Sequence, residues 1–447
     1  MISAHTINGD IMSIWAENAT KIKREPQSSP IKTDVLIIGG GITGILCAYE
    51  LQSKGIDCVI AERDTVCGGV THNTTAKITA QHSLIYHKLI THFGTDKAKL
   101  YLDANLDAVK KYTTLCQNID CDFEIKDSYV YTLNNKKAID DEFKALDALG
   151  YNAIKSTSLP LPFDIECAIG FKEQAQFNPL KFLYNIAGEL QIYEHTRVKE
   201  YKGSYITTDG GEIIAKNIVV ATHFPIFNKH GLYPMKMYQD RSYVIALKNA
   251  PDVNGMYIDE SKDGLSLRNY GDVLLLGGGS HRTGKNGGNW DFLRRAKEKY
   301  FPNAQEIDSW ATQDCITLDG VPYIGLYSKG TDNCFVATGF NKWGMTSAMV
   351  AATVIADMLE GKANKFAKLY NPSRNMLTPK LISNAFESAV GLLSPFGKRC
   401  PHLGCKLKWN KDEHTWDCSC HGSRFSKNGK LIDGPANNNL SYGDKLL

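Results

Sequence analysis

At 447 residues the chain is too long for one simple core, so two or three domains are expected. Its 43% hydrophobic and 22% charged residues fit a globular protein, and the near balance of 51 Lys+Arg against 48 Asp+Glu leaves no basic field for nucleic acid. No apolar run reaches the roughly 18 residues of a membrane span, and the first thirty residues lack the apolar core of a secretory signal, so a cytoplasmic location is expected.

Residues 1–32 read as an N-terminal extension. Val35–Ile38 then forms a short apolar strand, Ile42–Ser53 a helix and Asp57–Ala61 a second strand. Gly39, Gly41 and Gly44 between strand and helix have the spacing of a dinucleotide turn. The first allows the tight turn, the second lets backbone approach a pyrophosphate, and the third permits close helix–strand packing. The pyrophosphate would rest on the helix N-terminus at Ile42 and Thr43. Glu62 ends the second strand, placed for a ribose hydroxyl, with Arg63 beside it.

The stretch Cys67–Ser83 is too polar for core, and Gly69, Thr75, Ala76 and Lys77 are its candidate cofactor contacts. Lys77 would tune the electronics of a bound cofactor, or serve only as a solvated loop cation. His87–Cys116 reads as helix, and β-rich runs such as Arg241–Leu247 and Val273–Leu276 follow. Asn217–Thr222 is a strand ending in Ala221 and Thr222. Thr317–Gly325 leads into Cys334–Leu359, a strand, a turn with Gly339 and Phe340, and an apolar helix opening at Gly344, Met345 and Thr346.

From Thr33 to Asn371 these segments together resemble the D-amino-acid oxidase-like superfamily of FAD oxidoreductases. The resemblance implies an α/β, Rossmann-like FAD-binding domain over about 33–86, 170–238 and 311–371. It also implies an antiparallel substrate sheet over about 87–169 and 239–310. Val198 would contact the adenine, and the helix beginning at Gly344–Thr346 would aim its dipole at the reducible ring. Arg241, Tyr243, Arg268, His281, Lys342 and Trp343 are candidates for substrate contact, though each taken alone reads first as a structural ion pair or core aromatic. Cys315 precedes the Thr317 segment; relatives that bind flavin covalently place a cysteine nearby, but the offset differs, and a buried structural cysteine is expected.

Of the twelve cysteines, eight are scattered singly and read as buried small hydrophobes, while four lie in two C-terminal boxes. Residues 372–394 read as a linker containing an amphipathic helix over 380–394, and 395–447 as a separate module. The boxes are C-x-H-x-x-C (Cys400, His402, Cys405) and C-x-C-H-G-S (Cys418, Cys420, His421, Ser423). They resemble the Rieske signature, which implies a small all-β module with a [2Fe–2S] cluster on Cys400, Cys418, His402 and His421. Neutral imidazoles in place of two thiolates raise the potential of such a cluster. Cys405 and Cys420 would form a disulfide or remain thiols; zinc is the competing metal. Phe425 stands where high-potential relatives carry Tyr, so a lower potential is expected. The base sheet reads as shortened, leaving the loops supported by the main domain or the cluster fragile.

The combination resembles bacterial FAD-dependent oxidoreductases with a C-terminal Rieske domain. It implies an amine or amino-acid dehydrogenase whose reduced FAD discharges through the cluster to a one-electron, ferredoxin-like acceptor. From Val390 onward nine Lys/Arg face five Asp/Glu, suited to an acidic partner. Two alternatives are an electron-transfer or redox-sensing protein without an amine substrate, and an O₂-using oxidase with an inactive module.

Overall fold

The computed structural model describes residues 6–7, 10–11, 13–17, 19–227, 230–262, 264–375, 381, 384, 390–392, 394 and 397–440. Most of the expected connecting helix, including Ile382, Phe386, Ala389 and Leu393, lies outside them. Among the described residues no helix is long and apolar enough to cross a membrane.

Three sheets carry the architecture. In the first, Ile31–Ile38, wholly apolar over its second half Val35–Ile38, pairs in parallel with Cys58–Ala61 on one side and Glu212–Val220 on the other. Cys334–Thr338 continues the parallel set against Glu212–Val220. Such strands are covered on both faces, which is why they read as unbroken Val/Ile runs. Helices Ile42–Ser53 and Gly344–Glu360 pack together over this sheet, their Ile45, Leu46, Ala348, Ala351 and Ala352 fully buried.

The second sheet has nine strands, with Gln305–Thr317, Met237–Lys248, Val273–Arg282 and Ser266–Tyr270 side by side and antiparallel. Lys77–Ile78 and Cys167–Gln176 close its far end. Four expected boundaries fall inside elements: 86/87 in the helix Tyr86–Phe93, 169/170 in the strand Cys167–Gln176, 238/239 in Met237–Lys248 and 310/311 in Gln305–Thr317. The expected helix over His87–Cys116 is two helices, Tyr86–Phe93 and Thr95–Leu115, broken at Gly94, whose φ of 82° ends the first.

The C-terminal module is a four-stranded antiparallel meander of Leu407–Asn410, Thr415–Cys418, Arg424–Ser426 and Leu431–Asp433. A sheet this small buries little on its own. It is set against the strands Met237–Lys248, Val273–Arg282 and Gln305–Thr317, so the main domain supports the loops.

Candidate redox centres

The first centre forms where Ile31–Ile38 turns into Ile42–Ser53. Gly39 has φ +108°, and a Cβ there would lie 2.7 Å from Ala221 O; a Cβ on Gly44 would lie 1.9 Å from Gly39 O. Both positions admit only glycine. The helix start at Gly41 has no side-chain cap, and the Ile42 N–H is taken by Thr71 Oγ1 at 3.1 Å. Thr43 follows it in the first turn. An uncapped N-terminus over a glycine turn is a cradle for an anion. Glu62 sits beside it, accepting from Gly40 N–H and Asp64 N–H, each at 2.7 Å. Burial raises its carboxyl pKa against those two bonds. Arg63 turns instead to Asp64, on the surface.

Val198 is 7% exposed and packs in the core with Leu36 and Val59. Ala221 bonds back to Ile38 O at 2.9 Å, with Thr222 next to it, so this strand end closes the same turn. Opposite, the helix Gly344–Glu360 also begins without a side-chain cap, and the space over Gly344 and Gly69 is open. Gly339 cannot carry a side chain, since its Cβ would lie 2.3 Å from Thr317 Cγ2. Phe340 follows, half-buried. Met345 O accepts from the Tyr112 hydroxyl at 2.9 Å, tying this helix start to the helix Thr95–Leu115.

Two lysines cross from this side to serines of the nine-stranded sheet. Lys77 Nζ donates to Ser266 Oγ at 2.6 Å, and Lys342 Nζ to Ser242 Oγ at 3.2 Å, with Ser280 closer still. Burial, with the Arg268 charge adding to it, pushes the Lys77 ammonium down to about 7, and burial lowers Lys342. Lys77 is thus no solvated loop cation. Arg268, fully buried, donates to Thr75 O at 2.8 Å and Ala76 O at 2.9 Å, lies over the Trp15 ring, and keeps Nη2 without a partner. Trp343 stacks on His82 at 4.9 Å. His82, which sequence reasoning did not single out, also lies 2.9 Å from Thr346 Oγ1 and 2.7 Å from the Tyr101 hydroxyl. Burial takes its pKa to about 3, so it is neutral. Its only signal was a histidine inside the polar Cys67–Ser83 run.

Arg241, Tyr243 and His281 stand elsewhere. The Arg241 guanidinium pairs with Glu413 of the C-terminal module, with Arg424 on the other side of that carboxylate. The Tyr243 hydroxyl reaches Glu413 at 3.3 Å and His281 Nε2 at 3.1 Å. Arg241 and Tyr243 face the module and hold it, with His281 stacked on Tyr243 behind them. Cys315 is buried, its thiol raised by that burial, and it bonds to His223 O.

The second centre lies in that module. His402 and His421 rings sit 5.0 Å apart and nearly perpendicular. His402 Nδ1 and Nε2 and His421 Nδ1 are buried without a hydrogen-bond partner. Orphaned imidazole nitrogens are what an absent metal leaves. Burial lowers both histidines, His421 to about 4, so both are neutral, the ligating form. Cys400 bonds to Cys418, which also takes bonds from Cys405 and Cys420 and is held well below the usual thiol range. The Cys405, Cys418 and Cys420 sulfurs lie within 4.8 Å of one another. Cys405 and Cys420, the pair expected to form a disulfide or remain thiols, thus stand within reach of each other. The donor set of two thiols and two neutral imidazoles, converging from two loops, fits a [2Fe–2S] cluster.

A family model described as FAD dependent oxidoreductase matches residues 34–358. The chain belongs to that family. A second model, Rieske [2Fe-2S] domain, matches residues 386–442, so this FAD-dependent oxidoreductase carries a Rieske domain at its C-terminus. Its two cofactors are FAD and a [2Fe–2S] cluster. YhfW of Bacillus subtilis, whose name describes a Rieske 2Fe-2S iron-sulfur protein, is 36% identical over 90% of this chain and 92% of its own. Gamma-glutamylputrescine oxidoreductase of Escherichia coli is 23% identical over 80% of this chain and 91% of its own. Glycine oxidase from Geobacillus kaustophilus shares the fold, with a TM-score of 0.65 at 19% identity over 77% of this chain and all of its own.

Proposed function

We propose that this oxidoreductase oxidises an amine or amino acid and passes the electrons through its cluster to a one-electron acceptor protein of the ferredoxin-like class. One observation carries the reading: the strands Met237–Lys248 and Gln305–Thr317 belong to the sheet opposite the flavin turn and also hold the cluster module, so the two centres share one wall. The names of glycine oxidase and gamma-glutamylputrescine oxidoreductase support the substrate class.

Bound FAD supplies a two-electron hydride acceptor, and the cluster a one-electron carrier. The chain's own residues do the rest. Arg268 fixes the Thr75–Ala76 carbonyls and so sets the path of the segment before Lys77. Lys77, lowered to about 7, is neutral in part of its population near neutral pH, so its Nζ can take the proton that an ammonium substrate must lose before hydride leaves. Lys342 and Trp343 line the same side, leaving Arg241 and Tyr243 to the module interface. Cys400, His402, Cys418 and His421 hold the cluster.

Anaerobic mixing with a panel of amines and amino acids tests the proposal. A substrate should bleach the flavin band and then generate the reduced-cluster EPR signal. Bleaching by no member, with the flavin still reducible by dithionite, would remove the amine reading for that panel.

A further inference from the structure

The two ligand loops differ in what holds them. The first, Cys400–Cys405, is tied locally: Arg399 donates to Leu392 O and Gly404 O, and Lys406 N–H to Gly391 O. The second, Cys418–Ser423, is gripped by the flavin domain along its backbone. Arg282 donates to Ser419 O at 2.9 Å and Cys420 O at 2.8 Å. Gln239 Nε2 donates to His421 O at 2.7 Å and Gly434 O at 2.9 Å, and Gln313 Nε2 to Gly422 O at 2.9 Å.

The two glutamines, each 2% exposed, stand on adjacent strands and complete one another. Gln313 Nε2 also donates to Gln239 Oε1 at 2.9 Å, and Gln313 Oε1 accepts from Thr283 Oγ1 at 2.9 Å. Both amide groups therefore have both N–H bonds assigned, which fixes which way each amide points. The loop meets them at Gly422, where φ is +90° and a Cβ would lie 2.6 Å from Gln239 Cβ. On the other side, Gln313 is two residues from Cys315, whose carbonyl accepts the Asn341 N–H at 3.0 Å, directly after the Gly339–Phe340 turn.

We propose that Gln239 and Gln313 are positioning residues that hold the His421 loop in one fixed posture on the flavin domain, and that electrons enter the cluster through the Gln313–Gly422 contact. This rests on the electron-transfer reading above. Each passage removes one electron from reduced flavin and adds one to the diferric cluster, so two passages, each followed by discharge to the acceptor protein, reoxidise the flavin. His402, half-buried beside the exposed Leu403, is then the exit side.

The test uses the full-length holoprotein and compares the parent with Q313L, which keeps volume but has no donor, T283V, which frees the Gln313 amide to turn, and N437A, an exposed interface residue outside the loop. Flavin is photoreduced under anaerobic conditions, cluster reduction is followed in time, and reduced-cluster EPR line shapes are recorded. Transfer should slow at least tenfold in Q313L and about threefold in T283V, with broadened EPR lines at full iron content, while N437A behaves as the parent. If Q313L does not retain iron, T283V carries the test. An iron-free T283V protein, or an iron-loaded variant transferring at the parent rate with parent line shape, would overturn the inference. A parent protein whose photoreduced flavin leaves its cluster oxidised would instead sink the electron-transfer reading.

Discussion

Replacing Glu413 with Gln removes a buried charge that binds the module to the flavin domain. The Glu413 carboxylate is 8% exposed and lies between Arg241 and Arg424, themselves 4% and 5% exposed. Arg424 keeps Asp417 and Asp433 as partners, but among the described residues Arg241 has no other carboxylate within 4.0 Å. A guanidinium left buried without its anion costs about 3–5 kcal/mol. At about 4–8 °C per kcal/mol for a small domain, the transition reporting the module should fall by about 12–40 °C. Thermal unfolding read separately by visible CD of the cluster and by flavin fluorescence checks this, and the cluster signal should be lost first. The double replacement Arg241→Met, Glu413→Leu should recover most of the loss, because an apolar pair needs no partner charge. Burial alone would raise the Glu413 carboxyl, yet the two arginines outweigh it and hold it at about 2. The sign follows: stability from this group is complete above its ordinary value near 4.3 and is lost as pH falls toward about 2. Glu413→Gln should abolish that acid window. A variant that unfolds with the parent by both probes would refute the reasoning.

Gly44→Ala should yield protein without FAD, because its methyl would lie 1.9 Å from Gly39 O; the flavin absorbance per protein reports it. Cys418→Ser should drop iron to background while leaving flavin bound and still bleached by substrate, as iron analysis and stopped-flow absorbance would show. Flavin reduction should rise as pH climbs through about 7, where Lys77 loses its proton, and the Lys77→Met profile should be flat there and lower by tenfold or more. Mass spectrometry of the protein exposed to O₂, which takes up the two electrons, should find Cys405 and Cys420 joined, lighter by two hydrogen atoms than after reduction; their sulfurs lie within 4.8 Å, and two free thiols would exclude the pairing.

What the sequence made legible was chemistry that dictates residue identity. Gly39 and Gly44 are fixed by contacts of 2.7 and 1.9 Å from a would-be Cβ, and the cysteine–histidine boxes by their ligand set. Strand and helix positions in the parallel sheet were legible for a similar reason, since burial on both faces leaves unbroken apolar runs. The module interface was not. Arg241 lies 172 residues from Glu413 and Gln313 lies 109 from Gly422. Alternation along Met237–Lys248 places Arg241 and Tyr243 on a face but carries no sign of whether substrate or module covers it. His82 was hidden likewise: its partners come from the interior of the helix Thr95–Leu115 (Tyr101) and the start of the helix Gly344–Glu360 (Trp343 and Thr346).

The clamp on Ser419–Gly422 also sets an order of manufacture. The side chains that shape this loop belong to strands that end at Thr317, about a hundred residues before the first of its cysteines is synthesised. Domains fold as they emerge, N-terminal first. The seat is therefore built before its occupant, and iron–sulfur delivery comes last, onto a chain whose flavin half has already taken shape.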